Sequence, residues 1–470
     1  MMPDLTILQA AVVWAGAGRV FAPGVVVFSN QTGAILAVGP GAAVGHAAPA
    51  GSAIQAAYPN AHIENHPHRL LMPGLVNAHC HLELGYLRGK LPAGRFVDWV
   101  IQLMRQVSDA MKRGLLEQLT RQSVEAGVAE SLAAGVTTVG DITRQAKISR
   151  SVLSQAPLRA VSFGEVTGLG QRRAGFAERL AAAADTSTDG PRLQIGLSPH
   201  APYTVEGPAL RQAVQLARQA KLPLAMHLAE LSEETEFLAH LTGPLRELWN
   251  TSGGAVEFLD DLIPLFPEGP VRWAERWGLF EAAGCDQTAG TTLNDACPGG
   301  PLPHRVWHPG VPVLLAHMNY VNDDEIGLLG GASVVLCPRT RAFFGHQRPH
   351  RYREMLAAGV NVCLGTDSLA SNPDLSLLRE AAALRKTDPT LPVQTILEMV
   401  TLRGAKALGM DSQIGSLAVG KQADIIALPL AESRVTDSVG GWDGVLEYIV
   451  THAPAPPCVW IAGNFVKTVG

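Results

Sequence analysis

The chain has 470 residues, 47% hydrophobic and 17% charged, with 48 Gly and 32 Pro. That length fits about two to four domains, or one (β/α)8 barrel with a smaller module, and a core of that size needs no disulfide or metal simply to fold. The apolar content excludes a disordered chain, and a net charge of −5, from 37 basic and 42 acidic residues, leaves no basic excess for a phosphate backbone, so nucleic acid is not an expected partner.

The chain begins MMPDLTILQA, with no basic segment ahead of an apolar run, so no secretory signal is expected. Residues 20–63 contain no Asp, Glu, Lys or Arg, but they are full of Gly, Pro, Ser, Asn, Gln and His. They read as short strands and turns, and no membrane span or membrane partner is expected. The six cysteines form no C-x-x-C pair, which fits a reducing, cytoplasmic setting.

Residues 1–66 hold β-type runs such as VVVF and AILAVG, and residues 413–470 hold IGSLAVG, ADIIALPL and CVWIAGNFVKTV. The two ends read as two parts of one small β domain. Between them, 67–412 alternates apolar runs with helical stretches such as 115–134 and 208–220. The expected strands are 74–81, 136–141, 158–166, 193–200, 222–228, 311–317, 333–337 and 360–367. Eight strands alternating with helices predict a closed parallel barrel. A doubly wound open sheet could be written from the same alternation, but no G-x-G-x-x-G follows an early strand. The stretch 235–310, with Trp249, Trp273, Trp277 and Trp307, is far longer than a crossover needs. It reads as a lid or substrate wall, or as an extra pair of surface helices.

Polar residues mark the carboxyl ends of these strands, where barrel enzymes keep their sites. The first ends His79-Cys80-His81, and alternation lets both imidazoles face inward while Cys80 faces the helices. The fourth ends at His200, the fifth runs His227-Leu228-Ala229-Glu230, the sixth ends at His317 and the eighth at Asp367. One His-x-His strand plus four more ending in His or Asp predict a metal site. Other pairs are weaker. His66-Pro67-His68 falls at the domain junction. His304 with His308 and His346 with His350 lie among prolines, and of these His346 is the better candidate to touch substrate.

These residues resemble the amidohydrolase superfamily, in its cytosine deaminase and chlorohydrolase branch. The matching stretches are MPGLVNAHCHLELG (72–85), SPHAPYT (198–204), MHLAE (226–230), LLAHMNY (314–320), CPRT (337–340), LGTDSLASN (364–372) and IGSLAVGKQADI (414–425). CPRT followed by AFFGH (342–346) is most similar to aminofutalosine deaminase-type proteins. The resemblance implies a (β/α)8 TIM barrel with a small β-sandwich domain formed from both termini. It implies His79, His81, His227 and Asp367 as ligands of one divalent metal, zinc or iron. It implies Glu230 and His317 as the proton-handling pair, with Asp367 taking a proton, and His200 as a substrate contact.

Members of the superfamily with two metals end a middle strand in a lysine or another bridging group. Here the third and fourth strands end in FGEV and SPH, so one metal is expected. Glu165, the rival bridge, is read as a structural or substrate contact. Arg339 departs from the relatives' sequence and is expected to meet an acidic or polar part of the substrate. Phe96 and Trp99 either stack on a flat ring or pack their own helix, and Ser368 is a further substrate contact.

The expected activity is metal-dependent hydrolytic deamination of an amino-substituted heterocycle. A chlorohydrolase or cyclic-amide hydrolase is the alternative, and a non-catalytic scaffold is a third reading. The expected partner is a small heterocyclic substrate. Apolar outer helices admit a homodimer, which the sequence does not fix.

Overall fold

The computed structural model describes residues 4–41, 53–251, 265–279, 311–431, 441–456 and 458–466. Short segments rich in Val, Leu, Ile and Ala pair in parallel, as strands do when helices cover them. In ring order they are Leu75–His81, Val136–Thr143, Arg159–Val166, Leu193–Pro199, Leu224–Leu228, Val313–His317, Ser333–Leu336 and Asn361–Leu364. The eighth pauses at Gly365 and Thr366 and resumes as Asp367–Ser368. Its first part pairs with the seventh strand; its second part pairs with the first strand, Asp367 against Cys80 and Ser368 against His81. The sheet thereby shuts into a ring. Only glycine fits at 365, because a Cβ there would lie 2.8 Å from the carbonyl oxygen of His79.

The ring is filled by a buried apolar cluster that includes Val76, Ala78, Ile142, Val161, Phe163, Ala225, Leu314 and Val335, with Leu408 and Ile414. Outside it, helix Leu116–Ala133 buries Thr120, Ser123, Val124, Gly127, Val128, Ser131 and Leu132, the spacing of one helical face.

The other strands form one continuous sheet. Its order is Asn464–Val466, Cys458–Ile461, Ile425–Pro429, His62–Pro73, Leu5–Gly16, Gly24–Ser29 and Ile35–Pro40, with Arg19–Phe21 beside Leu5–Gly16. The two termini meet where His62–Pro73 runs antiparallel to Ile425–Pro429. Ile35 and Gly33 then bond back to Lys421, Gly420 and Ala423, so the sheet folds over on itself around Phe28, Leu71, Ile425 and Trp460. Strand His62–Pro73 passes unbroken through residue 66, where the junction was expected, and carries His66 and His68 within it.

The described part of 235–310 holds helices Glu233–His240, Pro244–Thr251 and Pro270–Arg276. Leu245, Leu248 and Trp249 pack with Val97, Ala201 and Tyr203, and Trp249 Nε1 donates to the Tyr203 carbonyl at 2.9 Å. Trp277 lies against Gly207, where a Cβ would come within 1.8 Å of the indole. These tryptophans pack extra helices onto the barrel. Residues 252–264 and 280–310, with Trp307, His304 and His308, lie outside the described residues. Among the described residues no helix is long and apolar enough to cross a membrane.

Candidate active site

The first strand does not alternate simply. Val76 and Ala78 belong to the ring's filling while Cys80 packs outside it, and register against the second strand shifts between Asn77 and Cys80. Irregularities of this kind re-aim side chains. Here the shift brings both His79 and His81 to the site. His81 Nε2 is 3.3 Å from His227 Nε2, and Asp367 Oδ1 is 3.5 Å from His79 Nε2 and 3.6 Å from His81 Nε2.

Three further positions achieve their aim by leaving ordinary backbone conformation. Ala229, His317 and Asp367 have φ of 50°, 75° and 58°, in the left-handed region that costs most residues free energy. The fifth, sixth and eighth strands each turn sharply there, just where Glu230, His317 and Asp367 are presented.

The donor set fits a divalent ion. His79, His81 and Asp367 offer ligand atoms within 4.8 Å of one another, as do His79, His227 and His317. Both ring nitrogens of His79 are buried without a hydrogen-bond partner, a costly arrangement for polar atoms that only a cation or water between the imidazoles relieves. Burial, and then the charge of His79, push His81 down to about 4. Burial likewise holds His227 well below the usual imidazole range and pushes His317 down to about 3. Neutral imidazoles are the form that offers a lone pair. Burial opposes ionisation of Asp367, but the imidazoles around it, His79 first, then His317 and His81, hold its carboxyl below the usual range.

Glu230 is buried 3.6 Å from His317 Nε2. Burial first, then the charges of Asp367 and Glu234, push its carboxyl well above the usual range. A carboxyl shifted in this direction is suited to carry a proton and hand it on. Glu234 was missed from the sequence, though an acid opening the helix right after Glu230 could have signalled it. Its fully buried carboxylate accepts the backbone N–H groups of Ala229 at 3.1 Å, Glu230 at 2.8 Å and Leu231 at 3.1 Å. Asn319 Nδ2 donates to the Glu230 carbonyl at 3.1 Å. Glu234→Gln puts an NH2 group against those amides. We expect it to lower kcat about 10²-fold with little change in KM, since displacing a reacting group by about 1 Å costs that much. Steady-state kinetics at constant metal content checks this.

His200 stands beside His227, ring centroids 4.9 Å apart, and burial pushes it down to about 3. Ser368 is buried and bonds Ser371, which donates to Asp367 Oδ2 at 3.0 Å, so the pair helps to hold the Asp367 carboxylate. Trp99 is buried, donates from Nε1 to the Ala370 carbonyl at 3.1 Å and packs on Phe344 at 5.1 Å. Phe96 is half-buried with its ring at 5.3 Å from Phe344. Of this pair, Phe96 retains exposed ring surface.

Arg339 requires a correction. Its guanidinium is taken up by Glu380 Oε1 at 2.6 Å, Asp374 Oδ1 at 3.0 Å and the Asp374 and Ser376 carbonyls. It fastens the short helix after the seventh strand, Pro338–Phe343, to helix Leu377–Thr387, and the two carboxylates it meets belong to this chain. Of the remaining histidines, His350 Nε2 donates to the His317 carbonyl at 2.7 Å, His346 bonds the Tyr320 hydroxyl at 3.0 Å, and His66 packs edge-on against Trp460.

Two more carboxyls lie behind the first strand. Glu83 accepts from the Thr143 hydroxyl and the amides of Arg144 and Gln145. Asp141 accepts the Leu82 amide at 2.9 Å, and burial, helped by Glu83, pushes it up to about 8. A raised acid stabilises the fold fully below its unfolded value, and that contribution is lost as pH rises through about 8. In chelator-treated protein, the urea stability of Asp141→Asn relative to wild type is therefore expected to rise by at least about 1 kcal/mol from pH 5 to pH 9. A pH-independent difference would contradict it.

Comparison with known proteins follows the same lines. The amidohydrolase family profile matches residues 70–466. A 5-methylthioadenosine/S-adenosylhomocysteine deaminase of Desulfovibrio desulfuricans is 32% identical over 377 residues, covering 77% of this chain and 72% of that protein. Among solved structures, an adenosine deaminase from Xanthomonas campestris with bound zinc superposes with a TM-score of 0.74 at 25% identity, covering 99% of this chain and 94% of that one. Helicobacter pylori aminofutalosine deaminase gives 0.76 at 20% identity, covering 98% and 100%, a likeness of fold. A ring of parallel strands presenting histidines and an aspartate at its carboxyl end, matched along most of its length to this profile, makes the chain a member of the amidohydrolase family, a hydrolase of carbon–nitrogen bonds.

Proposed function

We propose that the protein is a metal-dependent hydrolytic deaminase of an amino-substituted purine in nucleoside-like form. The observation that carries this is Glu230, a buried carboxyl 3.6 Å from His317 Nε2 and beside the donor set. His79, His81, His227 and Asp367 would hold one divalent ion, zinc first and iron second by donor type, which lowers the pKa of a water toward neutrality when bound. The chain's residues supply the rest. Glu230 protonates a ring nitrogen, which makes the amino-bearing carbon electrophilic. Recharged with the proton that Asp367 takes from the attacking water, it delivers that proton to the amine, so that ammonia leaves, and the remaining hydroxyl proton returns to Glu230 as the carbonyl forms. Asp367, held ionised, accepts a proton from the attacking water. His317, neutral and buried, orients that water. Glu230, together with a single metal site, favours deamination over amide cleavage, because an aromatic amidine must be made more basic before ammonia can leave.

The deaminase named in the Desulfovibrio relative supports the same chemistry. The buried free thiols Cys80, Cys337 and Cys363 support a reducing, cytoplasmic setting. The test is ammonia release by zinc-loaded protein from adenosine, 5′-methylthioadenosine, S-adenosylhomocysteine, aminofutalosine, guanine and cytosine, with chloride release from a chlorotriazine in parallel. Asp367→Asn is the blank. Ammonia that vanishes in the blank supports the proposal; chloride alone, or neither, rejects it.

A further inference from the structure

Glu165 ends the third barrel strand, and His200 follows the fourth. The proton transfers above use neither. The Glu165 side chain is 5% exposed, with Oε1 3.5 Å from Arg144 Nε and Oε2 3.9 Å from His200 Nε2. His200 Nδ1 lies 2.7 Å from Thr204 Oγ1, and the Thr204 hydroxyl donates to the Ala201 carbonyl at 3.1 Å. A hydroxyl has one proton, so Thr204 Oγ1 accepts from His200. The His200 proton is therefore on Nδ1, and Nε2 presents a bare lone pair. Nε2 and Glu165 Oε2 are two acceptors side by side, an arrangement that calls for donors from a ligand.

Glu165, His200 and His227 have ligand atoms within 4.8 Å of one another, which raises a second cation. His227 argues against it, because its Nε2 faces His81 and its Nδ1 bonds the His200 carbonyl at 3.3 Å. Arg144 also balances the charge of Glu165, so neutral donors suit the gap better than a cation. The reacting amine belongs beside Glu230 and His317, on the fifth and sixth strands. Glu165 and His200 stand at the third and fourth, and so meet a different part of the substrate.

We infer that Glu165 and His200 form a paired acceptor for two adjacent hydroxyls, the vicinal diol of a pentose, so that the enzyme selects nucleosides over free bases. This rests on the deaminase reading. The test uses zinc-loaded protein titrated calorimetrically with inosine, the deaminated form of adenosine, and with 2′,3′-dideoxyinosine. Inosine is expected to bind wild type about 10²-fold more tightly, the effect of hydrogen bonds to a charged group. Glu165→Gln is expected to bring inosine close to the dideoxy value and leave the latter unchanged. Glu165→Asp, which keeps the charge beside Arg144, is expected to retain part of the preference and serves where Glu165→Gln does not fold.

Equal binding of the two nucleosides by wild type, or equal weakening of both in Glu165→Gln, overturns the inference. So does a second zinc equivalent in wild type that Glu165→Gln loses. If ammonia is released from amino heterocycles but the diol has no effect, the inference alone falls. If no amino heterocycle releases ammonia, the deaminase reading falls and takes the inference with it.

Discussion

Replacing His79 by Ala is expected to abolish activity and to weaken zinc binding by at least about 10²-fold, more than loss of an outer-shell partner costs. His79 is fully buried, with the rings of His81, His227 and His317 at 5.0, 5.1 and 5.3 Å and Asp367 at 3.5 Å. Alanine removes both ring nitrogens and, with them, the imidazole nearest the Asp367 carboxylate. Zinc per chain by atomic emission, with ammonia release on the same samples, reads both effects. His66→Ala is the control. Its ring packs on Trp460 in the terminal sheet, so metal content and activity are expected to stay near wild type. A His79→Ala protein that keeps a full zinc equivalent and turns over would refute the assignment, as would a folded but inactive His66→Ala.

Glu230→Gln is expected to lower kcat by about 10²–10⁴, the range for a lost general acid, with KM and zinc content little changed. Glutamine fills the same space and can still meet His317, but it has no carboxyl proton to give. The three amides held by Glu234 fix its backbone as before. A fall in KM-dependent binding without a fall in kcat would make Glu230 a binding group instead.

Most of the barrel was legible in the sequence because its strands are short apolar runs alternating with helical stretches, and several end in or lead straight into His or Asp. The meeting of the termini was legible for a similar reason, since runs such as VVVF and ADIIALPL have little to bury against alone. Arg339 was misread because its partners, Asp374 and Glu380, lie far along the chain, and no local pattern shows that a guanidinium is already engaged. Glu234 was passed over because it sits between Glu233 and Glu236 in a run that looks solvated, and Asp141 because an acid in an apolar strand shows no partner in the sequence; only the fold shows that each is buried against backbone amides. Inward aim at His79 and His81 was expected from alternation, yet it depends on a break in alternation after Asn77.

The ring is shut by Asp367 and Ser368 lying against Cys80 and His81, at the seam between the chain's first and last barrel strands. Two of the proposed ligands, His79 and His81, sit on one side of that seam and Asp367 on the other. A sheet opened there would keep seven of its lateral pairings and still lose the donor set. Assembly of the site and closure of the fold are therefore the same event. A partly folded form with an open seam is expected to bind zinc weakly, because Asp367 is then separated from His79 and His81.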